Sequence, residues 1–554
     1  MSAGRFVRLA RAGLALVLML VSAGTVSAKV ILQYFESRYD TIERRMPDVF
    51  MAGYDGLWIP PTNRADTGNF SVGYDLFNRF DLGNPFGQTL YGSEDELRQM
   101  IQAAHRAGVL VFPDIVLNHN GFRDLGTPGF VESGDYPGFV VTLPGDIDGD
   151  FHGRFEGGDQ NERLAGLIDI AQEKNHVFIR QPAEAGNPMN IPDEPALESN
   201  RRFYPDTDFA SPASLGDTTG DRHTASGFNL DRPEAGDPVP ENATGLLIRY
   251  VKWMHEVIGA DGFRIDAEKH IPQFFFNDFY DGALAHTGPG GSTPFSFGEV
   301  FDTNFGLLSS YTRKDGFGNR DVLDFPLYYR MLDVFNANGF GDMRTLEFAS
   351  FDGSDGDAND GSRGVQFVSS HDNGPPAADN LAYAHILTRA GYPVVYFNAL
   401  EFGTGRDFPQ RGRGDALGGE FGDLITRLVG IHHEYGRGAH RTRWIDSDVY
   451  ICERESALLV GLNDNGASDQ TRTVDTGFRN VTLVELTGNP GATNPVVIGA
   501  DGRATVTIPS NGDGRGYAMW GLAAPRGLGA NPFAISPVAS TIAPDPPSVP
   551  NGIR

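Results

Sequence analysis

Gly262-Phe263-Arg264-Ile265-Asp266-Ala267-Glu268-Lys269-His270 is an apolar run that ends in charge. It reads as a buried strand whose last residues are polar. Three other stretches have the same form: Asp114-Ile115-Val116-Leu117-Asn118-His119, Phe297-Gly298-Glu299-Val300 and Phe367-Val368-Ser369-Ser370-His371-Asp372-Asn373. In a parallel α/β barrel, strand ends are where reactive groups gather. Three of the stretches supply one carboxylate each, namely Asp266, Glu299 and Asp372. Such a set can divide acid and nucleophile duty between two carboxyls and leave the third to hold hydroxyls.

Outward from these stretches, short apolar runs alternate with amphipathic ones. Val30–Phe35, Asp55–Ile59 and Val109–Phe112 read as three earlier strands. Glu94–Ala107 has helical spacing, with Leu97, Ile101 and Ala104 on one face, and Leu246–Ile258 is a helix feeding the strand at Phe263. Later strands are expected at Phe295–Phe297, Val322–Phe325, Val365–Val368 and Pro393–Phe397. Strand–helix alternation means parallel sheet, and eight strands close a (β/α)8 TIM barrel. Residues 120–242, rich in Gly, Asp and Pro, separate the third and fourth strands. A structureless loop of that length is improbable, so they are expected to form an inserted domain on the catalytic face. The barrel then comprises residues 29–119 and 243–438.

After the barrel the pattern changes to short alternating strands, expected at Val449–Cys452, Ala457–Leu462, Asn480–Leu486, Ala504–Ile508 and Gly516–Trp520. Residues 439–523 read as a separate antiparallel β domain. Residues 524–554 are Pro- and Ala-rich without helical period, which predicts a disordered tail. At the other end Arg5, Arg8 and Arg11 precede the apolar run Ala12–Val21, and Val26-Ser27-Ala28 offers small residues. This predicts a signal peptide over residues 1–28, cleaved after Ala28, and a secreted protein, extracellular or periplasmic.

The 554 residues, at 40% hydrophobic, suit a globular chain of about two to four domains. A formal net charge of −27 repels phosphate, so no nucleic acid partner is expected, and with no apolar stretch long enough to span a bilayer no membrane insertion is expected. One cysteine, Cys452, permits no internal disulfide, and a bound metal is a candidate staple in its place.

The four stretches, in this order and at strand ends, resemble the four signature regions of the α-amylase family of glycoside hydrolases, and the resemblance covers roughly residues 30–435. It implies a retaining endo-hydrolase of α-1,4-glucosidic bonds in starch, glycogen or maltooligosaccharides, expected as a monomer. By the resemblance Asp266 matches the nucleophile, Glu299 the general acid and Asp372 the third carboxylate. Arg264 would keep Asp266 ionised, while burial and neighbouring carboxylates would keep Glu299 protonated. His119 and His371 match sugar-binding histidines. Tyr74, in Val72-Gly73-Tyr74-Asp75, matches the tyrosine that stacks under the sugar. Lys269 and His270 match substrate-binding positions of endo-acting members.

The resemblance also implies calcium between barrel and insert, held by Asn118, the His270 carbonyl and an aspartate of the insert. Asp169, in Gly166-Leu167-Ile168-Asp169, is favoured for the last, with Phe228-Asn229-Leu230-Asp231 the rival stretch. Asn398-Ala399-Leu400-Glu401 departs from the Gly-x-Glu usual after the eighth strand, which leaves product length open. A glucanotransferase would use the same residues. A non-catalytic carbohydrate-binding relative would usually lack one of the three carboxylates, and this chain has all three.

Overall fold

The structure, a computed structural model, describes residues 30–121, 136–139, 149–152, 167–174, 178–179, 195–199, 223–226, 240–355, 361–402 and 407–523. The expected signal peptide, the tail, most of the insert and the Asn229/Asp231 stretch lie outside the described residues.

Eight parallel strands carry the chemistry: β1 (Ile31–Phe35), β2 (Gly56–Ile59), β3 (Leu110–Val116), β4 (Gly262–Asp266), β5 (Phe295–Gly298), β6 (Arg320–Val322), β7 (Val365–Phe367) and β8 (Tyr392–Asn398). Neighbours pair in sequence order, and β8 returns to β1 through Ile31 opposite Val394. The barrel closes between β6 and β7, where Leu323 bridges Val365 and the Asp324 N–H donates to the Val365 carbonyl at 2.9 Å. The strand expected at Val322–Phe325 therefore ends earlier, at Val322. Asp324 accepts from the Leu327 N–H at 3.1 Å and Pro326 occupies the first turn, so Phe325–Phe335 is a helix.

Period-two alternation divides each strand between two apolar layers. Leu32, Tyr34, Leu57, Val111, Ile115, Phe263 and Ile265 face the helices. Ile31, Phe35, Trp58, Phe112, Phe295 and Phe297 fill the barrel interior. Each such side chain contributes about 1.5–3 kcal/mol on full burial. The crowding fixes Gly262, because a Cβ there would collide with the Phe295 carbonyl. The predicted helix spans Glu94–Arg106, started by a capping box in which Ser93 accepts from the Glu96 N–H and Glu96 accepts from the Ser93 N–H. Ala243–Trp253 is the helix before β4, and one π turn, Met254–Ile258, extends it.

Beyond the helix Leu424–Tyr435 lie β9 (His440–Ile445), β10 (Val449–Arg454), β11 (Leu458–Asn463), β12 (Gln470–Asp475), β13 (Val481–Glu485), β14 (Val496–Ile498), β15 (Arg503–Ile508) and β16 (Tyr517–Leu522). Six of these make one antiparallel sheet, in the order β9-β10-β11-β16-β13-β14, and β12 pairs β15. Among the described residues no helix is long and apolar enough to cross a membrane.

Candidate active site

The interior-facing positions of β3, β4 and β5 change from apolar to charged on reaching the C-terminal end of the barrel. On β3, Phe112 gives way to Asp114. On β4, Gly262 gives way to Arg264 and then Asp266. On β5, Phe295 and Phe297 give way to Glu299. Parallel register sets Arg264 level with Asp114 on one side and Phe297 on the other. The strand pattern thus gathers one guanidinium and three carboxylates.

Arg264 holds all three. One guanidinium nitrogen, Nη1, donates to both Asp114 oxygens at 2.8 Å and to Asp266 Oδ1 at 2.8 Å. Nη2 lies 2.8 Å from Glu299 Oε2. Beneath, the guanidinium carbon stands 5.3 Å above the Trp58 ring, whose Nε1 donates to Asp114 Oδ2 at 3.3 Å. Gly298, just before Glu299, leaves room for the Glu268 carboxylate, which a Cβ there would strike. Glu268 in turn accepts from Arg320, which also bonds Asp281 at 2.7 Å.

The fourth signature stretch completes the group. His371 Nε2 lies 3.1 Å from Asp372 Oδ2 and 2.9 Å from the Tyr74 hydroxyl, while Nδ1 is 2.9 Å from Gln33 Nε2. Tyr74 donates to Asp114 Oδ2 at 2.8 Å, and its ring stacks parallel to that of His371 with centroids 5.4 Å apart. His119 Nε2 donates to the Tyr74 carbonyl at 3.0 Å and lies 3.9 Å from Asp266 Oδ2. Asp372 is the open member, its side chain 59% exposed, against 11% for Asp266 and 17% for Glu299.

Lys269 and His270 occupy a short turn after β4, entered through Ala267 at φ 49°. Lys269 Nζ donates to the Phe301 carbonyl at 3.2 Å, which sets it beside the segment carrying Glu299. His270 is buried.

Burial pushes Glu299 above the usual carboxylate range; Arg264 pulls the other way, and Asp266 and Asp372 push it further up. Asp266 is raised too, because burial outweighs the Arg264 charge and hydrogen bond. The expected pull of Arg264 on Asp266 is therefore present but does not win against burial. Asp114 is pushed by burial to about 7. Burial raises Asp372 as well, but His371 beside it prevails and holds it below its ordinary value. Burial takes His119 down to about 3, so its imidazole is neutral at ordinary pH. The site can hold a proton on buried Glu299, as a general acid needs, while Asp372 stays ionised beside it.

Asn118, which precedes His119, meets Asp169. The strand His119–Gly121 pairs with Leu167–Asp169, and Asn118 Nδ2 donates to Asp169 Oδ1 at 2.8 Å. Both are buried. Their oxygens are of the hard kind that calcium prefers.

Sequence reasoning gave no role to Asp114, Trp58 or Gln33. Asp114 was visible as the first acidic residue of its stretch, but its role depends on cross-strand register, which a single strand does not display.

Residues 458–521 match the family model described as α-amylase C-terminal. The α-amylase of Geobacillus stearothermophilus is 26% identical over 507 residues, 85% of this chain and 84% of that protein. A cyclomaltodextrin glucanotransferase of Thermoanaerobacterium thermosulfurigenes is 26% identical over 387 residues, covering 64% of this chain and 52% of that one. The crystal structure of an Anoxybacillus α-amylase superposes with a TM-score of 0.60 at 15% identity, over 91% of this chain and 99% of that one. That last likeness speaks to the fold alone.

Proposed function

We propose that this chain, a member of the α-amylase family of glycoside hydrolases, cleaves internal α-1,4-glucosidic bonds of starch, glycogen or maltooligosaccharides with retention. The observation that carries the proposal is the pairing of Asp266 and Glu299 on neighbouring nitrogens of one guanidinium. Two carboxyls held that close suit a direct attack better than an arrangement with water between them.

In this reading Asp266 attacks the anomeric carbon while Glu299 gives its proton to the leaving oxygen. The glycosidic C–O bond breaks and an Asp266–glycosyl ester forms. Glu299, now a carboxylate, takes a proton from water, whose oxygen attacks the same carbon and releases Asp266. Arg264 is at hand to pair with Asp266 when it is charged. His119, His371 and Asp372 bind hydroxyls of the reacting ring, and Tyr74 offers its face. Lys269 and His270 serve the leaving-group side.

Asn118, Asp169 and the His270 carbonyl would hold calcium, which would clamp the end of β3 to the insert and take no part in bond cleavage. The buried contact between Asn118 and Asp169 supports this. Export by the 1–28 segment is part of the same proposal. The glucanotransferase likeness favours one second reading, in which a sugar hydroxyl replaces water in the second step. Products from soluble starch and maltoheptaose test both. Short linear α-configured maltooligosaccharides are expected; rings or lengthened chains would move the assignment to transferase, and no products would end both.

A further inference from the structure

The turn after β4 reaches Glu299. Ala267 adopts φ 49° and ψ 35°, a left-handed conformation that residues with a Cβ keep only where their surroundings impose it. So turned, its N–H donates to Glu299 Oε2 at 3.4 Å. Arg264 Nη2 lies 2.8 Å from the same oxygen. With two donors on Oε2, the proton of the acid form belongs on Oε1.

Glu268, the next residue, is fully buried. Its Oε1 accepts from Arg320 Nη1 at 3.3 Å. Its Oε2 packs on Gly298, where a Cβ would strike it, and has no hydrogen-bond partner among the described residues. Gly298 pairs with Ile265, and the Glu299 N–H donates to the Ile265 carbonyl at 2.9 Å. One side chain thus ties the turn after β4 to the backbone that carries Glu299. Arg320 is fixed in its turn. Its Nε donates to Asp281 Oδ1 at 2.7 Å, Nη2 donates to Asn277 Oδ1 at 2.9 Å, and Nη1 also donates to the Tyr311 carbonyl. The Tyr311 hydroxyl donates back to the Lys269 and Ile271 carbonyls at 2.9 and 3.0 Å. A buried carboxyl with one oxygen lacking a donor is costly, so stability alone does not favour it here.

We propose that Glu268 is a positioning residue for the general acid. It holds Ala267 in the left-handed turn and fills the notch at Gly298, which keeps Glu299 Oε2 on its two donors and leaves Oε1 for the glycosidic oxygen. Being buried, Glu268 touches no sugar and acts through Glu299. The inference rests on the reading of Glu299 as the acid.

The test compares two substrates, maltoheptaose and a maltotrioside of an acidic nitrophenol, whose leaving group departs without a proton. Glu268→Ala should lower kcat on maltoheptaose about ten-fold, through a misplaced acid, with KM little changed. On the aryl maltotrioside the loss should shrink to about two-fold or less. Glu268→Gln keeps the shape and the Arg320 bond and should stay near wild type on both. Glu268→Met, of similar volume but without that bond, serves if the alanine variant folds poorly, and should show the same dependence on leaving group. Glu299→Gln, run beside them, tests the underlying reading: an equal loss on both substrates would show that Glu299 is not the acid. If Glu299→Gln passes, an equal loss on both substrates for the Glu268 variants, no loss on either, or a Gln variant as poor as Ala overturns the positioning role.

Discussion

Arg264 stands level with Asp114 across β3 and β4, and a single guanidinium nitrogen donates to both Asp114 oxygens at 2.8 Å. Asp114 is fully buried and also receives Tyr74 and Trp58. It is therefore the anchor that holds Nη1 beside Asp266 and leaves Nη2 for Glu299.

Asp114→Asn keeps the shape and removes that anchor charge. Arg264 then acts on two carboxyls in place of three, and Glu299 should release its proton at lower pH. The alkaline limb of kcat/KM should move down by about one pH unit, each unit being about 1.4 kcal/mol of proton affinity. Stability gives a second readout. Asp114 rises from 3.8 to about 7 on folding, so the folded protein binds the extra proton between those values. Its stabilising contribution is complete below about 4 and is lost as pH rises through about 7. The Asn variant should lose that part of the pH slope in melting temperature. An alkaline limb and a slope both like wild type would remove Asp114 from the network.

Glu299→Gln should bind maltooligosaccharides nearly as wild type and turn over about 10²–10⁴-fold more slowly. The raised Glu299 acts as an acid below its pKa, so wild-type activity should fall as pH rises through it, and the variant should lose that limb. More than a tenth of wild-type activity would sink the assignment. Asp266→Asn should be at least as damaging, because no glycosyl ester can form.

Gly298→Ala tests how the general acid is seated. A new Cβ would fall on the Glu268 carboxylate, which is held by Arg320, itself anchored on Asp281. Overpacking of this kind costs about 1–3 kcal/mol, and Glu299 should be displaced with it. Adding Glu268→Ala should restore part of the activity lost, because it vacates the space. A double variant no better than Gly298→Ala would show that the glycine serves another purpose.

The barrel and its three carboxylates were legible because apolar strands ending in charge leave a local pattern. The sixth strand was misplaced because Val322-Leu323-Asp324-Phe325 is apolar enough for a strand, while the Asp324 cap and Pro326 start a helix there. β12 has few apolar residues, and its exposed alternation in Gln470–Asp475 gives no apolar run to detect. Gln33 was hidden inside an otherwise ordinary strand, since only the fold brings it within 2.9 Å of His371.

Cys452 should be chemically silent in the folded protein. It is buried in β10, and burial pushes its thiol up to about 12. The reactive form is the thiolate, so a thiol reagent such as a disulfide dye should titrate no sulfhydryl under native conditions and one in denaturant. Rapid native reaction would mean that β10 opens readily, and the domain would have to be far less stable than its packing implies.

Calcium at Asn118 and Asp169 makes the last prediction. A ligand that binds only the folded state stabilises it by mass action, and the gain grows with free calcium. Chelation should lower the melting temperature, and activity should fall as the end of β3 beside Asp266 loosens. Asp169→Ala should lose part of the calcium response, since a carboxylate supplies both charge and an oxygen ligand. Asp231→Ala is the control for the rival stretch. A full wild-type response in Asp169→Ala, together with its loss in Asp231→Ala, would move the ligand to the rival position. An unchanged wild-type melting temperature after thorough chelation would end the calcium proposal at Asn118 and Asp169.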